Sequence, residues 1–252
     1  MLNELYEKGL TIIPWIGNAS DAELINDLAN DAFARGYQEY IKAVDRAGKS
    51  IQKLDQRKVE IIRGEMVKFL NAMEVIKNID YQDNYVPTEY KPYFNEESLM
   101  VVRKKVMGYY EIFKTQPLFL NTLYLHNKSK EVLNNAKINR ANIEIKLAQL
   151  ETEMEKAEIV VSHTKQLDRI LRNLLRQVKV PLMKMTEIVE NNSNWKQMSQ
   201  AEKQTIMVVV KYMQLIKTVI DMPIIKEDGG LNKEIETITK NKEILQMIEA
   251  KN

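Results

Sequence analysis

A chain of 252 residues with 44% hydrophobic and 29% charged residues has enough apolar material for a core and too much for a disordered chain. Only 8 Gly and 6 Pro leave too few turn residues for a sandwich or barrel, so long helices are the natural alternative. The absence of cysteine excludes disulfides, thiolate nucleophiles and cysteine-ligated metal centres, and 37 basic against 35 acidic residues argue against a nucleic-acid binder.

Residues 1–19 hold Gly9, Pro14 and Gly17 around an apolar stretch, and predict an irregular arm held down by Trp15. Ser20 with Glu23 is a capping box, in which a hydroxyl accepts from the third amide while the carboxylate reaches back. A proline-free stretch follows, read as one long helix over 20–79. Its stripe is Phe33, Tyr37, Tyr40, Val44, Ala47, Ile51 and Leu54, alternating steps of 4 and 3, the coiled-coil period. The stripe resumes at Ile62, Met66, Phe69, Met73 and Ile76 after a shift near Lys58, which reads as a stutter. Gly36, Gly48 and Gly64 each weaken a helix by ~1 kcal/mol against Ala and are the places where it would break.

Residues 80–95, with Pro87, Pro92 and four tyrosines, predict a loop, and 96–114 a second helix. After Pro117 comes a short apolar patch that includes Leu118, Phe119, Leu120, Leu123, Tyr124 and Leu125. A second long helix is expected over 127–180, with the stripe Ile143, Leu147, Leu150, Met154, Ala157, Val161, Thr164, Leu167, Leu171, Leu174 and Val178. Pro181 should kink or end it, because its ring clashes with the preceding turn and it has no amide donor. The loop 191–194 follows. Ser199 and Glu202 form another capping box, opening a helix to about Met222. Pro223 and Asp228, Gly229 and Gly230 make a turn, and a last helix is expected over 232–250.

Two stripes of 3.5-residue period must cover each other. The expectation is all-α, a single elongated domain over 1–252. It is an antiparallel helical bundle or coiled-coil hairpin with shorter flanking helices and residues 80–125 at its tip. The apolar window 206–225 is interrupted by Lys211, Lys217 and Asp221, so it reads as a core helix, not a membrane span. The first residues show no signal-peptide pattern, which makes cytoplasmic the expected location.

Chemistry is sparse. Di-iron bundles need Glu-x-x-His pairs, but Leu123 and Val160 stand three residues before His126 and His163, the only two histidines. Gly229 and Gly230 lack the Gly-Lys-Ser/Thr of a phosphate loop. Glu151, Glu153, Glu155 and Glu158 alternate around a helix and read as a solvated face. No catalytic residue, metal site or cofactor is assigned, and His163 is expected as a satisfied histidine between helices. The clearest feature is basic: Lys165, Arg169, Arg172, Arg176 and Lys179 recur at steps of 4 and 3, and at ~100° per residue they share one narrow face. Leu167, Ile170, Leu171, Leu174, Leu175 and Val178 lie opposite, and Asp168 is the one acid between Lys165 and Lys179. Such a stripe is either a solvated edge, paired with acids of the first long helix, or a binding surface. Arg103, Lys104 and Lys105 add charge near the expected tip. The 118–125 patch is too short to span a bilayer, so it either covers the core or contacts a membrane or partner from the tip.

Several segments are similar to a group of uncharacterised bacterial helical-hairpin proteins. They are Arg169-Ile-Leu-Arg-Asn-Leu-Leu-Arg176, Pro181-Leu182, Glu187-Ile-Val-Glu-Asn191, Ser199-Gln-Ala-Glu-Lys203 and Ile216-Lys-Thr-Val-Ile-Asp-Met-Pro-Ile-Ile-Lys-Glu-Asp-Gly229. Gly9-Leu-Thr-Ile-Ile-Pro14 and Tyr37-Gln-Glu-Tyr-Ile-Lys-Ala-Val-Asp45 carry the likeness to the other end. The resemblance implies a helical hairpin with a variable tip and brings no activity or site residues with it. In that group a long Gly/Ala-rich apolar segment separates the long helices. Here only residues 117–125 stand there, which removes the feature that would imply insertion. The architecture is similar, by analogy of shape alone, to helical pore-forming cytolysins. The expected function is a non-enzymatic helical interaction or structural protein, acting on a protein partner or on itself through a coiled-coil surface. The alternative is an amphitropic or pore-forming protein whose 80–125 tip meets an anionic membrane.

Overall fold

In a computed structural model, the structure describes residues 19–79, 86–115, 140–225 and 231–239. Of these, 89% are helical. The main elements are α1 (Ala19–Ile61), a π turn (Ile62–Met66), α2 (Val67–Val75), a 3₁₀ turn (Thr88–Tyr90), α3 (Lys91–Phe94) and α4 (Glu96–Thr115). They continue as α5 (Arg140–Asn191), a 3₁₀ turn (Trp195–Gln197), α6 (Gln200–Asp221) and α7 (Glu234–Thr239). The protein is an all-α helical bundle. The expected arm around Trp15 and the apolar patch after Pro117 lie outside the described residues, as does the last helix beyond Thr239.

The stutter has a physical form. Leu54, Lys58, Ile62 and Met66 are all buried at successive steps of four. On an α-helix of 3.6 residues per turn such steps carry the buried face around the axis. The π turn takes up this drift: the Val67 amide reaches back five residues to the Ile62 carbonyl. Beyond it, Phe69, Leu70, Met73 and Ile76 are buried on one face. The helix stops at Val75, earlier than residue 79, because Ile76 is extended and Asn78 takes a left-handed φ of 57°. None of the three glycines breaks α1 or the π turn.

The described chain forms two compact units. In the first, α1 as far as Asp45 packs on α5 as far as Ala157, burying Phe33, Tyr40, Ala43 and Val44 with Ile143, Leu150 and Ala157. At Gly36 the side chains of α5 press on the backbone of α1: a Cβ built there would lie 2.9 Å from Leu147 Cδ2. Because Gly36 meets Leu147 and Tyr40 feels the charge of Glu153, the helices advance together.

In the second unit Arg46 pairs with Glu158, the Ser50 and Thr164 hydroxyls share a hydrogen bond, and Arg57 pairs with Asp168, at separations of 112, 114 and 111 residues. A constant separation means parallel helices; antiparallel ones would keep a constant sum. Lys77 and Asn194 then join in a parallel bridge. The expected antiparallel packing of the two long helices is therefore corrected. The reason lies in α4, which the expected hairpin places in its tip. α4 starts beside Phe94, whose ring meets Trp195 at 5.2 Å, and runs back so that Lys105 reaches Asp221. With α4 as a return helix, α5 runs in the direction of α1. α6 returns from the capping box at Ser199 to Lys58, so this unit is an up-down-up-down four-helix bundle whose sequential neighbours are antiparallel.

Pro181 does not end α5; the helix continues to Asn191. Leu182, Met185 and Val189 beyond the proline are buried, and this tertiary contact outweighs the lost hydrogen bond. The second capping box forms as expected: Ser199 Oγ accepts from the Glu202 amide at 3.3 Å, and the Ser199 amide donates to Glu202 Oε2 at 2.7 Å. That amide holds the Glu202 carboxyl below its ordinary pKa.

Candidate functional site

The five cations of the stripe lie where the periodicity places them. Lys165, Arg169, Arg172, Arg176 and Lys179 are all exposed on α5, while Leu167, Ile170, Leu171, Leu174 and Val178 are buried behind them and Leu175 is half-buried. Among the described residues the stripe does not pair with acids of α1. Arg172 pairs at 2.6 Å with Asp168, one turn back on its own helix. Asp168 is 6% exposed and also takes Arg57 of α1 at 3.4 Å, so the acid faces the helix seam. Among the described residues Lys165, Arg169, Arg176 and Lys179 form no ion pair.

Arg103, Lys104 and Lys105 do not join into a patch. Arg103 is engaged by Glu74 at 2.5 Å and Asn71 at 2.8 Å. Lys105 turns to Asp221 at 3.3 Å and lies over the Tyr109 ring, which leaves Lys104 exposed. The expected tip residues Leu118, Phe119, Leu120, Leu123, Tyr124 and Leu125 fall outside the described residues. His163 is buried as expected, but its Nδ1 has no hydrogen-bond partner among the described residues, so it is not fully satisfied. Burial lowers its pKa, against an opposing pull from Glu236 of α7.

Sequence reasoning misses a second group of charges. Lys58, 3% exposed, donates to the Ile220 carbonyl at 3.0 Å and the Met222 carbonyl at 3.4 Å, where α6 ends. A cation at a helix C-terminus satisfies carbonyls that lack intrahelical donors and meets the negative end of the dipole. Burial nevertheless lowers the Lys58 pKa to about 8, opposed by Asp55 and Asp221. Burial raises the Asp55 pKa to about 6, opposed by Lys58. Asp221 Oδ2 accepts from Lys217 at 2.5 Å and from Lys105, while its Oδ1 is buried without a hydrogen-bond partner among the described residues. Tyr93, stacked edge-on against Phe69, has its pKa raised to about 12, chiefly by burial and then by Asp221. The signal is present in the sequence: Lys58 occupies a core position between Leu54 and Ile62 in the stripe. A charge in such a position needs a partner, but only the tertiary structure supplies α6 as that partner.

Among the described residues no group of three or more His, Cys, Asp or Glu is placed to hold a metal ion, and no helix is long and apolar enough to cross a membrane. No protein-family model, curated protein or solved structure matches the chain.

Proposed function

We propose that this chain is a non-enzymatic helical interaction protein that binds an acidic protein surface through the exposed face of α5. The observation that carries the reading is the stripe itself. Five cations share one face, and the single ion pair they make among the described residues lies within their own helix. The apolar residues behind them are committed to the core, so the face has charge to offer and no internal use for it. Lys58 is engaged in ending α6, a structural task. A protein partner is favoured over an anionic membrane because the same face ends in exposed Glu187 and Glu190, which an anionic surface repels.

The test is a photo-crosslinking residue at Arg169 or Arg176 in extracts of the source cell, with and without Arg169→Glu, Arg172→Glu and Arg176→Glu. Protein adducts that disappear on charge reversal or in high salt are expected. The melting temperature should hold for Arg169→Glu and Arg176→Glu, since exposed substitutions usually stay within about 0.5 kcal/mol, whereas Arg172→Glu also breaks the ion pair with Asp168 and should lower it. Flotation with anionic vesicles and no protein adduct would overturn the reading in favour of a membrane surface.

A further inference from the structure

The exposed face of α5 changes character along its length. Arg172, Arg176 and Lys179 come first, then Val180 and Met183, which are 59% and 58% exposed, then Glu187 and Glu190. At ~100° per residue all seven fall on one side of the helix, within about 100° of arc. α5 is continuous through Pro181, so the basic and acidic halves belong to one helix. The order basic, apolar, acidic is self-complementary when reversed. From the midpoint between Pro181 and Leu182, Val180 and Met183 are equidistant, and so are Arg176 and Glu187. Arg172 and Glu190 differ by a single residue.

We propose that this face binds a second copy of the same chain, α5 against α5 in antiparallel orientation about a two-fold axis near residues 181–182. The proposal rests on the reading of α5 as the interaction face and names its partner. Around such an axis each contact occurs twice, as an isologous interface requires. Val180 of each copy covers Met183 of the other, and Arg176 and Arg172 of each meet Glu187 and Glu190 of the other. An apolar centre inside a charged rim is the usual anatomy of a protein interface. In a membrane-bound arrangement the acidic half would have no counterpart, whereas in the two-fold pair Arg172, Arg176, Glu187 and Glu190 each meet an opposite charge. A contact of one helix with its copy is small, so a dissociation constant on the order of 1–100 µM is expected, weakening as salt is raised.

The experiment is sedimentation equilibrium of the full chain over a concentration series, with two charge-reversed variants. One carries Arg172→Glu with Arg176→Glu, the other Glu187→Arg with Glu190→Arg. Each alone should lose dimerisation by at least tenfold in dissociation constant. An equimolar mixture of the two should recover it, since Glu187 and Glu190 of the first variant meet Arg172 and Arg176 of the second as in the wild type, and the other set of pairs re-forms with its sign exchanged. Met183→Glu should also disperse the dimer, and circular dichroism should show each variant folded. The chain has no cysteine, so a single Met183→Cys provides an independent readout: oxidation should link two copies, whereas Val208→Cys, also exposed but on α6, should not be linked. A wild-type chain that stays monomeric at millimolar concentration, or a mixture that fails to associate, overturns the proposal. If adducts to another protein through Arg169 or Arg176 persist in that case, the interaction reading stands and only the identity of its partner falls.

Discussion

Replacing Asp55 by Asn should stabilise the second unit at neutral pH and leave it nearly unchanged at about pH 3. Asp55 is 8% exposed, and its pKa rises from 3.8 to about 6 because burial disfavours the carboxylate. The attraction of Lys58 is already within that balance, since it acts in the opposite direction. The folded chain therefore holds the proton more tightly than the unfolded chain. Below the unfolded pKa both states are protonated and nothing is lost. As pH rises from about 4 to about 6, the unfolded acid ionises first and stability falls. Above that range the full difference of about 3 kcal/mol weighs against folding. Asn keeps the shape and cannot ionise, so the variant should gain about 2–3 kcal/mol at pH 7, about 1 kcal/mol at pH 4.5 and close to nothing at about pH 3. Urea unfolding of both proteins, followed by far-ultraviolet circular dichroism across that range, measures the difference. An Asp55→Asn variant less stable than wild type at pH 7 would refute the reasoning, because it would show that the carboxylate gains more from Lys58 than burial takes away.

Leu150 is 2% exposed against α1 whereas Met154 is half-buried, so Leu150→Ala should cost about 2–4 kcal/mol and Met154→Ala under about 2 kcal/mol; losses below about 0.5 kcal/mol at both would place the seam on another face. Gly64 and Gly36 should respond differently to Ala in thermal melts. Gly64 has open space for a Cβ, so Ala should stabilise by up to about 1 kcal/mol. At Gly36 the same gain is offset by pushing back Leu147 Cδ2, and an equal gain at both positions would show that the close approach at Gly36 carries no cost.

Helical content, the faces of α1 and α5 and the capping box at Ser199 were determined locally, by 3- and 4-residue spacing and by side chains that satisfy helix-end amides. The exposed cationic stripe follows from the same periodicity: once Leu167, Leu171 and Leu174 face the core, Arg169, Arg172 and Arg176 face away. A 3.5-residue stripe carries no direction, however, because it fits a parallel or an antiparallel neighbour equally well. Direction came from α4, whose return along the bundle makes α5 parallel to α1. Pro181 was overruled in the same way, since the burial of Leu182, Met185 and Val189 depends on partners distant in sequence. The stutter near Lys58 was visible in the order of residues, but not the turn that absorbs it or the use of the lysine within it. The carbonyls of Ile220 and Met222 that receive Lys58 lie 162 and 164 residues away, and no local rule connects them. A buried charge announces through sequence only that it requires a partner; the packing of α6 against α1 decides which one.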